Sequence, residues 1–377
     1  MSRVGASTQR TLSRTLGSAR GKLEFPGRAS ELPQRQRKNK TTVAKERGTK
    51  FGEQRGSVLN RRAMKPQTAE RYEKLLEGLS LFTLVNYSRP LALMMPGPLL
   101  DQLVRDYLHA LFFDGETVAT AKALFSAVGW MFPPISRFGT TEMPNTKQAL
   151  AGFSKLAPAT GRLALPEGVM DAILVAMVHR GFKMLAQLCR LAEALYLRPG
   201  EMLQLRCGQF CPPMPTAGTT TWSVTLNPFE QEIPSKIGEC DDGLLLDGPL
   251  QDTFSSIAGL LVHGRSPEEK VVDMTAAEFR KIFHEAAREA QVLMLSPIPY
   301  HLRHTGASMD LTKHWRSIEA VKQRGRWRTD RAMARYLKGG RVADQFRRLP
   351  AKVQAHCDLC HEHIGEILIG RSKAFGL

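Results

Sequence analysis

The chain has 377 residues, of which 42% are hydrophobic, and this is enough for two folded domains with real cores. Its formal net charge of +17 predicts a polyanionic partner, because such an excess of positive charge repels itself unless a partner offsets it. No apolar run approaches the roughly 18 residues that cross a bilayer, so we expect neither a transmembrane segment nor a membrane partner.

The basic excess is concentrated in residues 1–68. There, 17 Lys and Arg stand against 4 Asp and Glu, whereas the rest of the chain carries a net charge of only +4. The stretch is rich in Ser, Thr, Gly and Gln and poor in large apolar side chains, which predicts a disordered basic arm. A nuclear, DNA-contacting arm is the preferred interpretation. An organellar presequence stays open as the alternative, because the first acidic residue is Glu24.

Residues 69–160 show helical periodicity without strand alternation, which predicts a small all-α domain of three helices. Gly115 is placed to stop the second helix, and Thr117 can cap the third, which Pro133 and Pro134 end. The predicted core-facing residues are Tyr72, Leu75, Leu76, Leu79 and Phe82 in the first helix, and Leu100, Leu103, Val104, Tyr107, Leu108, Leu111 and Phe112 in the second.

A second helical block begins at residue 161. Gly181 is predicted to interrupt it, and Pro199 suits the first position of a further helix. Between residues 219 and 247, TTTWSVTL alternates and LLLDG is a short apolar run, which predicts a hairpin or a three-stranded sheet. Helical periodicity returns from Thr275 and continues through GRWRTDRAMARYLK. The predicted fold class is therefore mainly α with a small β-sheet (α+β).

The six cysteines are scattered, which favours a reduced intracellular compartment over a disulfide framework. Two of them lie in HCDLCHEH, which offers His356, Cys357, Cys360, His361 and His363 as candidate zinc ligands. The segment lacks a separated second pair of ligands, so we expect a helix without a metal, and a structural zinc is the alternative.

Arginines and one tyrosine recur in three segments that follow one another along the chain. They are LYLRPGEMLQL, with Arg198 and Glu201; PYHLRHTGAS, with Tyr300, Arg303 and His304; and GRWRTDRAMARYLK, with Trp327 nine residues before Tyr336. The chain has no HExxH, Walker-type or GxSxG motif, so hydrolase and nucleoside-triphosphatase functions lack their signatures.

In this order, the three segments resemble the tyrosine recombinase (phage-type integrase) family, and most of all the recombinases of eukaryotic mobile elements. The resemblance implies a helical core-binding domain at residues 69–160, a catalytic domain at 161–350 and a C-terminal element at 351–377 that docks on a neighbouring subunit. The implied function is site-specific DNA recombination or integration in the nucleus, without a cofactor. The implied partners are double-stranded DNA and further copies of the chain, forming a homo-tetramer on paired sites.

The resemblance also assigns roles to single residues. Tyr336 is the implied nucleophile, which forms a 3′-phosphotyrosyl link, and nearby cations must favour its phenolate because the ordinary tyrosine pKa is about 10. Arg198 and Arg303 are the implied phosphate clamp, since planar guanidinium groups suit two phosphate oxygens at once. Glu201 is expected to orient the site. Lys236, in the predicted hairpin, is the candidate general acid for the leaving 5′-oxygen.

Further residues complete the predicted site. Trp327 stands where the family has His or Trp, and His304 follows Arg303 as His follows in the family. The predicted DNA-backbone contacts are Arg326, Arg328, Arg331, Arg335 and Lys338. Simpler interpretations also stay open: a surface cation for Arg198, a packing aromatic for Tyr336 and an exposed turn residue for Lys236.

One residue departs from the family pattern. Tyr300 occupies the position three residues before Arg303 at which the family usually has His, and the neighbouring His301 points elsewhere on a helix. A phenol can bind a phosphate but cannot act as an imidazole base. A second hypothesis is therefore an inactive or domesticated DNA-binding protein with the same fold. A third, a type IB topoisomerase, is disfavoured by the short chain and the LRPGE segment.

Overall fold

The computed structural model describes residues 64–158, 163–228, 231 and 240–377, without the side chains of residues 331 and 332. The described chain is mainly helical with one small antiparallel sheet, which confirms the predicted fold class. It forms two compact units that meet in sequence at residues 161 and 162. Most of the predicted basic arm lies outside the described residues. In the described ranges, no helix has the length and apolarity needed to cross a membrane.

The smaller unit is an all-α domain. Its described helices are α1 (Pro66–Tyr87), α2 (Pro98–Phe113), α3 (Val118–Met131) and α4 (Pro144–Leu156). The three predicted helices are confirmed. As expected, Thr117 caps α3 by accepting a hydrogen bond from the Thr120 amide, and Gly115 follows α2 with a positive φ of 78°.

Helix α4 was not predicted, because its N-terminal cap comes from another part of the chain. The carboxylate of Asp101, in α2, accepts hydrogen bonds from the amides of Asn145 and Thr146 at 3.0 and 2.8 Å. These bonds satisfy two of the amides that every helix N-terminus leaves without an intrahelical partner. Asp101 is buried, and the hydrogen bonds hold its pKa below the ordinary value although burial alone would raise it.

The larger unit contains the sheet and the remaining helices. Its described elements are α5 (Glu167–His179), α6 (Lys183–Ala194), α7 (Pro199–Met202), β1 (Phe210–Cys211), β2 (Ser223–Leu226), β3 (Asp242–Leu245), α8 (Gln251–Val262), α9 (Ala276–Glu289), α10 (His301–Thr312), α11 (Ile318–Arg324), α12 (Asp330–Met333), α13 (Gly339–Arg347) and α14 (Ala351–Ile369).

The predicted breaks in this unit are confirmed. Gly181 lies between α5 and α6 with a φ of 87°, and Pro199 is the first residue of α7. The sheet has three antiparallel strands in the order β1-β2-β3, and Val224 pairs with Leu244. Both of these side chains are buried, so one face of the sheet covers the helical core.

Helix α5 lies at the centre of the larger unit and packs against α6, α9 and α14. The helix predicted over HCDLCHEH is confirmed as part of α14, and the apolar side chains of α14, among them Val353, Ile364 and Ile367, are buried in the core of the same unit. A Cβ at Gly168 would lie only 3.1 Å from the Cys357 carbonyl oxygen, which shows how closely the two helices approach. The face that was expected to dock on a neighbouring subunit is therefore already covered within the unit.

The segment GRWRTDRAMARYLK was predicted to be a helix, and this is wrong for most of its length. Only the single turn of α12 is helical, and Tyr336 lies in the turns that follow it. Two contacts explain the difference. Gly325 packs under the indole of Trp327, where a Cβ would lie 1.8 Å from the ring, and the Tyr336 carbonyl accepts a hydrogen bond from Ser308 in α10. The hydrogen bond from Ser308 is a tertiary contact, which no local sequence pattern predicts.

Candidate active site

Arg303 is the most deeply buried charged side chain of the predicted site. It lies on α10, which packs against α6, and only 1% of the residue is exposed. Its two terminal nitrogens donate hydrogen bonds to the carbonyl oxygens of Tyr196 and Gly325. Its Nε has no hydrogen-bond partner among the described residues. Burial, and then the positive charges of Arg198 and Arg326, lower the pKa of Arg303.

Tyr336 lies beside this guanidinium and is 2% exposed. Its ring centroid is 4.7 Å from that of Trp327 and 5.3 Å from that of His304. Burial raises the pKa of Tyr336 to about 12, although the positive charges of Arg303 and Arg335 oppose that rise. The phenol is therefore protonated at neutral pH.

Trp327 holds the arginine and the tyrosine together. The guanidinium carbon of Arg303 is 4.5 Å from the centroid of the indole, and Tyr196 stacks on the same indole at 6.1 Å with an interplanar angle of 29°. Aromatic and cation–π contacts of this kind each contribute roughly 0.5–1.5 kcal/mol. The indole of Trp327 thus contacts both Arg303, the predicted phosphate ligand, and Tyr336, the predicted nucleophile.

Arg198 is joined to Arg326 through Glu201. The Arg198 amide donates to Glu201 Oε2 at 2.8 Å, and the Arg198 guanidinium binds Oε1 of the same carboxylate. Arg326 Nη2 binds Glu201 Oε2 at 2.9 Å. Burial by itself would raise the pKa of Glu201, but the two arginines outweigh it and hold that pKa below its ordinary value. Glu201 is therefore an anionic bridge between two cations, in keeping with an orienting role.

Tyr300, His301 and His304 also lie close together at this site. Tyr300 immediately precedes α10, and its ring centroid is 5.0 Å from that of His304. His304 is buried and lies between Tyr300 and Tyr336. His301 is buried as well, and its Nδ1 accepts a hydrogen bond from the Ile298 amide at 3.0 Å. His301 thus fixes the start of the helix.

The structure adds residues that the sequence motifs did not indicate. The Tyr196 hydroxyl donates a hydrogen bond to the Asp310 carboxylate, and Arg316 binds the same carboxylate at 2.8 Å. Arg316 and Arg324 also bind Asp247, just beyond the end of β3, at 2.7 and 3.1 Å. These contacts tie the base of the β2–β3 hairpin to the segment that leads to Trp327. The only sequence signal was that Tyr196 belongs to LYLRPGEMLQL, since ion-pair partners far apart in the chain leave no local pattern.

The predicted DNA-backbone contacts separate into two groups. Arg328, Arg335 and Lys338 are exposed, as a phosphate contact requires. Arg326 is not a surface cation, because its side chain is 9% exposed and is paired with Glu201. The side chain of Arg331, and all of Lys236, the predicted general acid, lie outside the described residues.

No protein-family model matches this chain, and no curated protein is significantly similar to it. The resemblance to the recombinases is therefore carried by the three segments themselves. Within the described residues, these segments come together from α7, α10 and the turns around α12. Arg198, Glu201, Arg303, His304, Trp327 and Tyr336 are linked by the contacts given above.

Of the candidate zinc ligands on α14, His356, Cys357 and Cys360 are buried, whereas His361 is exposed and His363 is partly buried. Cys357 and Cys360 are buried, and burial raises the pKa of both thiols to about 12. The Cys360 sulfur lies 3.4 Å from His356 Nε2.

Another group on α5 and α14 has the ligand types of a metal site. The described residues bring Glu167, Asp171 and His361 within reach of a single ion. Two cations already occupy these carboxylates: Arg190 binds Asp171 at 3.1 Å, and Lys313 binds Glu167 at 2.5 Å. These residues form an ion-pair network that ties α14 to the core of the larger unit.

The central cluster places guanidinium groups, which can bind an anion, beside the protonated phenol of Tyr336. The guanidinium groups of Arg198, Arg303 and Arg326 act on one another, and together with the Glu201 and Asp242 carboxylates they carry a net positive charge. Arg303 and Tyr336 are nearly inaccessible as they stand.

Proposed function

We propose that this chain is a DNA strand-transferase of the tyrosine recombinase type, encoded by a mobile element and acting in the nucleus as a site-specific recombinase or integrase. The observation that carries the proposal is the packing of Arg303, Trp327 and Tyr336 against one another. Each comes from a segment that resembles the family, and a phenol beside a buried guanidinium is the pair that phosphoryl transfer to tyrosine needs.

The proposed reaction conserves the phosphodiester bond energy. Tyr336 Oη attacks a DNA phosphorus and loses its proton to solvent, while the bond from phosphorus to the 5′-oxygen breaks. Lys236 is the proposed donor of the proton that the leaving 5′-oxygen takes up. The 5′-hydroxyl of another strand then attacks the 3′-phosphotyrosyl link and restores the phenol. Neither ATP nor a cofactor is required, because each step exchanges one phosphate ester for another.

Arg198 and Arg303 are the proposed ligands of the nonbridging oxygens, on which negative charge builds as phosphorus becomes five-coordinate. Loss of one such donor costs roughly 3–4 kcal/mol in comparable sites, which corresponds to a rate about a hundredfold to a thousandfold lower. The helical unit is proposed to contact the duplex as a core-binding domain. Four copies on two paired sites are the proposed assembly.

Two observations favour a second candidate, a DNA-binding protein that has lost turnover. Tyr300 replaces the usual histidine, and Tyr336 is buried with a raised pKa. This candidate predicts salt-sensitive DNA binding without a covalent product.

The test is incubation of the full chain with nicked duplexes that trap a covalent intermediate, followed by denaturation and detection of DNA-linked protein. We expect an adduct with the wild type and with Tyr87→Phe, and none with Tyr336→Phe. Tyr87 is a matched control because it is exposed, on the helical unit, and its hydroxyl bonds Asp106. DNA binding without any adduct would establish the second candidate. Relaxation of supercoiled plasmid without strand exchange would instead indicate a topoisomerase.

A further inference from the structure

Arg326 has an unusual backbone conformation for its residue type. Its φ is 55°, in the left-handed region that glycine adopts freely and other residues adopt at a cost. It stands between Gly325, whose carbonyl oxygen binds Arg303, and Trp327, whose ring covers Arg303. Strain of this kind persists where the surrounding structure holds it and is concentrated at functional sites.

The side chain of Arg326 is buried with only part of its hydrogen-bonding capacity used. Nη2 binds Glu201 at 2.9 Å, whereas the distance from Nη1 to Asp242 Oδ2 is 3.8 Å, too long for a hydrogen bond. Among the described residues, Nε and Nη1 have no hydrogen-bond partner. Buried donors without acceptors destabilise a fold, so a ligand rich in oxygen atoms would relieve them.

The charges of the side chains around Arg326 indicate the charge of the ligand. Glu201 joins Arg326 to Arg198, and the positive charges of both arginines act on Arg303. With the Asp242 carboxylate counted, the side chains of these five residues sum to one positive charge; without Arg326, they sum to zero. A phosphodiester carries one negative charge, and the five-coordinate phosphorus of the proposed reaction carries two. Tyr300 contributes no positive charge, because a phenol is neutral at pH 7.

We propose that Arg326 is a third guanidinium of the phosphate site and supplies the positive charge that Tyr300, in place of a histidine, does not. Glu201 holds Arg326 in position through Nη2, which leaves Nε and Nη1 as the donors for the anion. The proposal rests on the proposed function for the identity of the anion as a DNA phosphate. The presence of a dianion site at Arg326 can be tested without any DNA reaction.

The first test measures binding of inorganic sulfate, a tetrahedral dianion, by isothermal titration calorimetry at constant ionic strength. We expect Arg326→Gln to weaken sulfate binding at least about tenfold and Arg326→Lys to stay within roughly threefold, because the lysine keeps the charge. Arg341→Gln is the control, since Arg341 is an exposed arginine of α13 paired with Asp344. If the wild type binds no sulfate, or if Lys and Gln weaken it equally, the proposal is overturned.

Arg326→Gly separates a charge role from a structural one. Glycine suits a φ of 55°, and the substitution also removes a partly unsatisfied buried guanidinium. We expect a melting temperature equal to or above that of the wild type, together with sulfate binding at least about tenfold weaker. If Arg326 merely supported the fold, the glycine variant would melt at a lower temperature and its folded fraction would bind sulfate with unchanged affinity. That result would contradict the proposal.

A rescue experiment tests the compensation for Tyr300. In the Arg326→Gln background, we expect Tyr300→His to restore sulfate affinity at pH 6 but not at pH 8, because an imidazole is positively charged only below a pKa of about 6.5. Equal affinity at both pH values, or no gain at either, would contradict the proposal. If no covalent DNA adduct forms while these sulfate results are obtained, the proposed reaction is wrong, but Arg326 is still part of an anion site.

Discussion

The guanidinium carbon of Arg303 lies 4.5 Å from the centre of the Trp327 indole. The same indole also contacts Tyr336, whose ring centroid is 4.7 Å away. A single aromatic side chain thus sets the position of the proposed clamp relative to the proposed nucleophile. The spacing between Trp327 and Tyr336 in the sequence acquires a physical meaning from this contact, because the turns after α12 bring the tyrosine back onto the indole.

Replacing Trp327 by a smaller residue should therefore destabilise the packing of Arg303 and Tyr336. We expect Trp327→Ala to lower the free energy of unfolding by roughly 2–3 kcal/mol and Trp327→Phe by about 1 kcal/mol, since the smaller ring keeps part of the stacking. Urea denaturation measures both values. The control is Trp130→Ala, a half-exposed tryptophan of the helical unit. A loss below about 0.5 kcal/mol for Trp327→Ala would show that the indole does not hold the cluster.

Gly306 should tolerate no side chain. It lies within α10 where this helix packs on α6, and a Cβ there would be 2.0 Å from the Glu193 carbonyl oxygen. We expect Gly306→Ala to lower the free energy of unfolding by about 3 kcal/mol or more, because two helices must separate to admit the methyl group.

The matched control for Gly306 is Gly340→Ala in α13, where nothing lies within 4 Å of the added atom. Here we expect a gain of up to about 1 kcal/mol, because alanine restricts the unfolded chain more than glycine does. Thermal melting followed by circular dichroism compares the two variants. Equal melting temperatures would contradict the close packing of α10 on α6.

The contact between α14 and α5 should depend on pH through His361. Its Nδ1 lies 2.7 Å from Asp171 Oδ2, and this hydrogen bond raises the pKa of His361 above 6.5 although burial opposes the rise. A raised pKa in the folded state stabilises the fold fully below pH 6.5, and that stabilisation is lost as the pH rises through the folded value.

We therefore expect the stability difference between the wild type and His361→Asn to be larger at pH 5.5 than at pH 9. The change should be at most about 1 kcal/mol, because the side chain is 46% exposed and its ion pair is screened by solvent. Urea denaturation at the two pH values gives the difference. The exposed His263, which has no carboxylate partner among the described residues, supplies the control variant His263→Asn. A difference that is the same at both pH values would rule out the proposed linkage.

Tyr336 should ionise at a higher pH than an ordinary tyrosine. Burial raises its pKa to about 12. The tyrosinate absorbance of the wild type minus that of Tyr336→Phe should therefore show no ionisation of Tyr336 below about pH 11. If the phenolate is the attacking species, the rate of adduct formation should rise about tenfold per pH unit between pH 6 and pH 9. Ionisation near pH 10 in the difference spectrum would contradict the buried environment.

Elements with local signals were predictable, and those made by distant contacts were not. Thr117 caps α3 and Gly181 separates α5 from α6 because a side chain or a φ value at one position suffices. Helix α4 escaped prediction because its cap, Asp101, is 44 residues away in the sequence. The helix expected around Tyr336 is mostly absent: the chain forms turns there, and the Tyr336 carbonyl accepts a hydrogen bond from Ser308, 28 residues away in the sequence.

The sequence by itself determined the fold class, several helix boundaries and the identity of Arg198, Arg303 and Tyr336 as candidates for phosphate chemistry. These follow from periodicity, from capping residues and from the order of three motifs, all of which are properties of short stretches. Only the tertiary structure decided that Arg303 and Tyr336 are both buried against Trp327, and that Arg326 faces Glu201 instead of the solvent. The physical reason is that burial and ion pairing depend on which elements meet in space, and a residue type alone carries no information about its distant neighbours.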